Sequence, residues 1–341
     1  QLTNVRIRYS GAFTGVSVYL TDADITMSGC TIELGGGSGV NLNGNSLPTI
    51  TGCAFDNHAG APIEAATLES TNGFSGNTAS GNTGGDYIHF VGPYFLAPTL
   101  NGSGAFVFMS GLYVSTGQTL TLAAGVRFKF GPFTNLDVQG TLIANGTVAN
   151  EVVFTSTADD ATGGDSLSDG PTTGLPGDWS YIYLQSGSSA SVLSRVRVKF
   201  AATSSNSSVY VYNANPTIID STIESGAGGG LYVYSGAQPI VQRCHIANHQ
   251  LFAVHVDDFR ALSGMRHNTA SGNTGGDYTR VAASSVGGAA TVFPHNYIGP
   301  VLVVSGGLIS TGESLTLQAG VKVKVTSGTL SCYGSLNFAG T

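Results

Sequence analysis

Four side chains within six residues, His255, Asp257, Asp258 and Arg260, bring a base, two carboxylates and a cation together, and His249 lies a short turn before them. A polysaccharide lyase or glycoside hydrolase needs a base or a carboxylate pair beside a cationic or metal subsite, and this cluster offers such parts. Four polar residues on one bend also arise without catalysis. No nucleophile elbow, phosphate loop, zincin motif or dinucleotide fingerprint accompanies them. The cluster is therefore the enzyme candidate, set against a plain solvated bend.

A second constellation is the loop DDATGGDSLSDG from Asp159 to Gly170, followed by Asp178. Calcium takes several hard oxygen ligands from a flexible loop, and Asp159, Asp160, Asp165 and Asp169 offer carboxylates while the glycines let backbone carbonyls approach. Leu167 stands where an EF-hand would place a third ligand, so the spacing is not that motif. Calcium is the one cofactor candidate; nothing else in the chain requires a cofactor. The competing reading is a solvated acidic loop.

The third constellation is aromatic. Tyr181 and Tyr183, Tyr210 and Tyr212, then Tyr232 and Tyr234 alternate along segments that read as outward-facing strands. Tyrosine offers a flat apolar face with a polar tip, suited to sugar rings or to a protein partner. It is also a good exposed strand residue that makes cross-strand contacts. Asn101, Asn145 and Asn206 begin N-x-Ser/Thr sequons, weak signals that depend on the source organism.

The elements that position these residues follow from composition and repetition. With 49 glycines, 10 % charged residues and few long helix formers, the chain has an all-β composition rich in small and β-branched residues. A net charge of −7 with thirteen Lys plus Arg leaves no basic patch for phosphates, so nucleic acid is an improbable partner. No apolar run approaches the roughly 20 residues of a membrane span.

Eleven residues, NTASGNTGGDY, occur at Asn77–Tyr87 and again at Asn268–Tyr278, 191 residues apart. LTNVRIRYSG from Leu2 likewise returns as LSRVRVKFAA from Leu193, and TGQTLTLAAGVRFKF from Thr116 returns as TGESLTLQAGVKVKV from Thr311. The chain therefore reads as a first long unit, 1–191, and an incomplete second one, 192–341, in a single solenoid. The segment Val148 to Ala190 has no counterpart in the second copy.

A shorter rhythm runs inside each unit. Inward triplets Leu2/Val5/Ile7, Met27/Cys30/Ile32 and Ile50/Cys53/Phe55 recur as Leu193/Val196/Val198, Ile218/Ser221/Ile223 and Val241/Cys244/Ile246. Their spacing is near 24 residues, with no helical pattern between them. That suits one turn of a solenoid whose short strands stack in parallel, about fourteen coils in all. An alternating strand precedes each later triplet, as in VNLN from Val40 and VYVY from Val209. Three of the four cysteines fall on the inward triplet, so they read as stacked buried thiols, and Cys332 aligns with an inward valine. The shared bend NTASGNTGGDY reads as scaffold, with Asn and Gly serving the turn.

These coils, with Pro48 or Pro239 ahead of an x-Φ-x-x-Cys-x-Φ strand, resemble the right-handed parallel β-helix repeat proteins of bacterial and archaeal surfaces. The block from Leu120 to Asp160, followed by GDWSYIYLQSGSS from Gly177, is similar to a recurring module of large secreted proteins of that group. The resemblance implies an all-β right-handed parallel β-helix and an extracellular or cell-surface location. It leaves function open, because that architecture hosts lyases, tailspikes, adhesins and passive stalks alike. The expectation is a non-enzymatic structural or adhesive segment of a large repetitive surface protein or fibre. The alternatives are a carbohydrate-binding β-helix using the tyrosine stripe, with a polysaccharide or surface glycan as partner, and a polysaccharide lyase or glycoside hydrolase. Neither Gln1 nor Thr341 carries a polar cap, so flanking coils or end-to-end self-association are expected. Tyrosines, His255 and its neighbours differ between the copies: the first has Ser17, Tyr19, Asn41, Asn43, Glu64 and Ala66 in their places.

Overall fold

The computed structural model describes residues 1–11, 15–90, 99–100, 105–108, 111–167, 169–204, 206–282 and 286–339, with 99–100 and 105–108 described as backbone. Asn101 lies outside the described residues. All pairings between the described strands are parallel, and each joins a strand to one about a coil further on: Met27 lies opposite Leu2 and Ile50, and Ile50 lies opposite Phe74. The result is a parallel β-helix of about thirteen turns with a period near 24 residues. Among the described residues no helix is long and apolar enough to cross a membrane.

The inward triplets build the core. Met27, Cys30, Ile32, Ile50, Cys53 and Phe55 are all buried, as are their second-copy counterparts Ile218, Ile223, Val241, Cys244 and Ile246. Cys30, Cys53 and Cys244 are buried free thiols, whereas Cys332, aligned with the buried Val138, is exposed in the last coil. The corner between the first and second strands of a coil is one residue in the left-handed region: Asn4, Gly29, Gly52 and Gly76 in the first unit. The second unit uses Arg195, Asp220, Arg243 and His267 there. These side chains stack one per coil, so Asp220 receives Arg243 at 2.7 Å and Arg195 at 3.8 Å. An exposed ladder of this kind offsets part of the cost of left-handed backbone in non-glycine residues.

One topological shift decides which residues share a side. In the first four coils the third strand of each coil, from Val18–Thr21 to Ile88–Phe90, feeds an eleven-stranded sheet. The next strand of that sheet, Ala105–Phe108, is the second strand of its coil, because among the described residues one strand, Thr99–Leu100, intervenes. The same shift recurs after Gly276–Val281, where Leu302–Val304 joins the nine-stranded sheet after a single intervening strand among the described residues. Equivalent strands of the two units thus lie on different faces: Val18–Thr21 is in the eleven-stranded sheet and its counterpart Ser207–Tyr212 is in the nine-stranded one.

The segment without a second-copy counterpart explains the coil number. Between Val152–Ser156 and Ile182–Leu184 the chain leaves the coil as a long loop and returns through Trp179. Trp179 is fully buried, stacks on Phe130 at 4.5 Å and donates Nε1–H to the Lys199 carbonyl at 2.8 Å. The loop consumes about a coil's worth of chain without adding a turn.

Candidate functional site

The repeated bend is scaffold, built the same way twice. Asn82 accepts the His58 amide at 2.9 Å and donates to the Phe55 carbonyl at 2.9 Å, while Asp86 accepts the Gly81 and Asn82 amides. Asn273 does the same with His249 and Ile246, each at 2.9 Å, and Asp277 with Gly272 and Asn273. The asparagines bond backbone groups of the preceding coil. His58 and His249 are both buried and donate Nε2–H to the carbonyls of Ile32 and Ile223. His249 therefore belongs to this scaffold and not to the cluster that follows it.

The acidic loop is a strap held by lysines. Lys129 is fully buried on the outer side of the eleven-stranded sheet and donates Nζ–H to the Gly164 carbonyl. Asp159, 2 % exposed, pairs with Lys199 at 2.7 Å and accepts the Thr155 hydroxyl at 2.6 Å. Burial alone would raise the Asp159 carboxyl, but hydrogen bonds from Lys199, Thr155 and Thr162 hold it below the usual range. Asp160 accepts the Thr172 amide and hydroxyl, Asp165 caps the amides of Leu167 and Gly170, and Asp169 is exposed. The four aspartates expected as calcium ligands are thus spread along the strap, with lysine ammonium groups among them. Among the described residues no three His, Cys, Asp or Glu side chains are placed to hold a metal ion. The tip of the strap touches the first bend, since a Cβ on Gly85 would collide with the Ser166 carbonyl.

The four residues of the catalytic candidate divide into two pairs. Asp258 caps the short helix Phe259–Gly264 through the Arg260 amide and holds the Arg260 guanidinium at 2.5 Å. Asp257 accepts the Ser235 amide at 3.0 Å, and its other oxygen has no protein partner. His255 stacks on Tyr232, with ring centroids 4.5 Å apart and planes 8° apart, and its Nε2 has no protein partner either. Burial, aided by Arg280, pushes the His255 imidazole down to about 4, so it is neutral near pH 7.

The tyrosines form one register row and part of another. Asp137, Tyr183, Tyr210, Tyr232, His255 and Arg280 lie directly opposite one another on successive strands of the nine-stranded sheet. Tyr212 opposes Tyr234 two residues further along, and Tyr181 sits just before its strand, edge-on to Tyr183 and Tyr210. All six are half-buried, because the rings pack on one another: Tyr232 lies between His255 and Tyr234, whose centroid is 4.7 Å away. The outward tyrosines make cross-strand contacts with one another as a self-packed ladder. What is open is a cleft of about 250 Å³ beside it, bounded by Asn206, Tyr210, Gly229, Tyr232, Phe252 and His255.

Sequence reasoning missed Asn206, Gly229 and Phe252. Gly229 and Phe252 open their strands and Asn206 lies just before one, where alternation carries no signal. The copy comparison held it, since Phe252 replaces Ala61 at the same offset that sets His255 against Glu64.

A family model described as a right handed beta helix region matches residues 1–126 and 178–312. The unmatched stretch between them contains the strands Arg127–Phe130, Leu136–Val138, Thr141–Asn145 and Val152–Ser156 and the strap. No curated protein and no solved structure matches the chain.

Proposed function

Because the chain belongs to the right-handed β-helix family, whose fold supplies a stiff rod and leaves specificity to outward side chains, we propose that it is a non-enzymatic structural and adhesive segment of a repetitive extracellular protein. Its contact surface is the aromatic row of the nine-stranded sheet, and its partner is a polysaccharide or surface glycan. The observation that carries this reading is the register itself. Tyr183, Tyr210, Tyr232 and His255 stand in one line on adjacent strands, between a carboxylate at Asp137 and a guanidinium at Arg280. An aromatic line ending in charged groups suits a chain of sugar rings laid along the rod, with apolar faces on rings and hydroxyls at the ends. The equivalent line in the first unit, Tyr19, Asn41, Glu64 and His89, is mostly polar and lies on another face.

The extracellular placement rests on the likeness of the Leu120–Asp160 block to modules of large secreted proteins. Catalysis is disfavoured by the pairing of Asp258 with Arg260, which removes one carboxylate and the cation from the His255 side. Glycan-array binding of the intact chain tests the reading. Binding is expected, and Tyr183→Ala with Tyr232→Ala should weaken it at least tenfold; glycan binding that survives both substitutions would sink it.

A further inference from the structure

The cleft beside the aromatic row has a counterpart in the first unit. There a cavity of about 280 Å³ is bounded by Val16, Gly37, Ser38, Gly60 and Glu64. The positions correspond by the 191-residue offset: Val16 to Ser207, Ser38 to Gly229, Gly60 to Leu251 and Glu64 to His255. The coil geometry therefore makes this cleft, and each unit relines it. In the first unit the lining is small and ends in a carboxylate already engaged, since Glu64 accepts Ser38 Oγ at 2.7 Å and Asn41 Nδ2 at 2.8 Å. In the second unit the carboxylate is gone, the serine is a glycine, and aromatic rings enter.

We propose that the second-unit cleft is a subsite for one uncharged, hydroxylated sugar ring, held among Tyr210, Tyr232 and Phe252 with His255 Nε2 as its acceptor. This deepens the glycan-contact reading and rests on it. Four features carry the assignment. Gly229 leaves the floor open: a Cβ there would come within 2.9 Å of Ser207 Oγ and 3.4 Å of the Phe252 carbonyl. His255 Nε2 borders the cleft, is buried and lacks a protein partner, so a sugar hydroxyl can donate to it and remove an unsatisfied polar atom. The Tyr210 hydroxyl and Asn206 amide are tied to each other at 3.2 Å, and Tyr210 also accepts the Ser207 amide at 2.9 Å, so the polar wall is fixed before a ligand arrives. Placing Arg280 4.8 Å from the Phe252 ring centroid braces that ring from within the chain. An acidic sugar is less well suited, because Asp257 lies two residues from the acceptor and the nearby cation, Arg280, is already engaged over the Phe252 ring and with Ser305 Oγ at 3.0 Å.

The test is calorimetric titration of the intact chain with neutral hexose oligosaccharides, gluco-, galacto- and manno-configured trimers, beside the glucuronate trimer. Saturable binding of a neutral trimer is expected, with the glucuronate trimer at least tenfold weaker. Phe252→Ala and Gly229→Ser, which restore first-unit residue sizes, should each weaken binding about tenfold while leaving thermal unfolding near that of the parent. Affinity should also fall about twofold between pH 7 and pH 4, where about half of His255 Nε2 has taken up a proton, a dependence that His255→Gln should abolish. If Tyr183→Ala with Tyr232→Ala abolishes binding while Phe252→Ala and Gly229→Ser do not, the subsite is wrong and the aromatic-row reading stands. If no trimer binds and the array is also blank, both are wrong.

Discussion

Tyr183 and Tyr234 share a hydroxyl–hydroxyl hydrogen bond of 2.8 Å although their strands are separated by a third, Ser207–Tyr212, which pairs with both. The bond runs diagonally over Tyr210 and ties three coils together. Burial and this contact push the Tyr234 phenol well above its ordinary value.

Removing either hydroxyl should therefore cost about 1 kcal/mol, and removing both should cost little more than removing one. Urea unfolding of Tyr183→Phe, Tyr234→Phe and the double variant measures this. Fully additive losses would show that the two hydroxyls act independently.

Acid should loosen the rod before it neutralises the carboxylates. Burial pushes His249 down to about 4, and His58 is lowered for the same reason. Each donates Nε2–H to a carbonyl and keeps Nδ1 without a partner, so protonation would place a charge in the core. The unfolded chain, with an ordinary histidine value near 6.5, binds more protons between about pH 6.5 and pH 4, and stability falls as pH drops through that window. For the buried His249 the full effect is on the order of 3 kcal/mol. His249→Gln should flatten the slope of the urea midpoint against pH across that range; an unchanged slope would mean another group sets it.

The strap should depend on Lys129. Burial lowers the Lys129 ammonium, and Asp160, Asp159 and Asp165 act against that effect. Lys129→Met fills the space but removes the charged hydrogen bond to the Gly164 carbonyl and a cation near these carboxylates, a loss of about 2 kcal/mol. Endoproteinase Asp-N should then cut between Asp159 and Asp169 much faster than in the parent, with the remaining coils intact. Chelation with EDTA should leave the parent's melting temperature unchanged, because the strap aspartates are spread over separate protein partners and are not gathered at one point.

The two bends should prove energetically equivalent. Asn82→Ala and Asn273→Ala each strip one amide and one carbonyl of the previous coil of their partners, so each should cost about 2 to 4 kcal/mol. A large cost at one bend and none at the other, measured by thermal unfolding, would overturn the view that both are scaffold.

Much of this was legible in the chain. Inward triplets repeat because every coil must bury the same face, and the spacing of Cys30, Cys53 and their neighbours set the period and parallel stacking before any coordinates. The identical bends were legible as scaffold for the same reason: one backbone geometry requires one set of bonds. Pairing Tyr183 with Tyr210 and leaving Tyr181 aside was not legible, since a two-residue register choice leaves the same alternation on both strands. Nor was Lys129 beneath the strap, because Gly164 comes to it from 35 residues away and composition shows only acid and glycine.

The sequence by itself determined an all-β coil, its period, its duplicated units and the residues by which the copies differ, because these are local patterns read along one chain. Only the tertiary structure decided which face each unit presents, that the acidic loop is a lysine-bound strap, and that the space beside the tyrosines is a cleft. Those outcomes depend on where a skipped strand shifts the coil and on how side chains from coils about 24 residues apart fill or leave the volume between them.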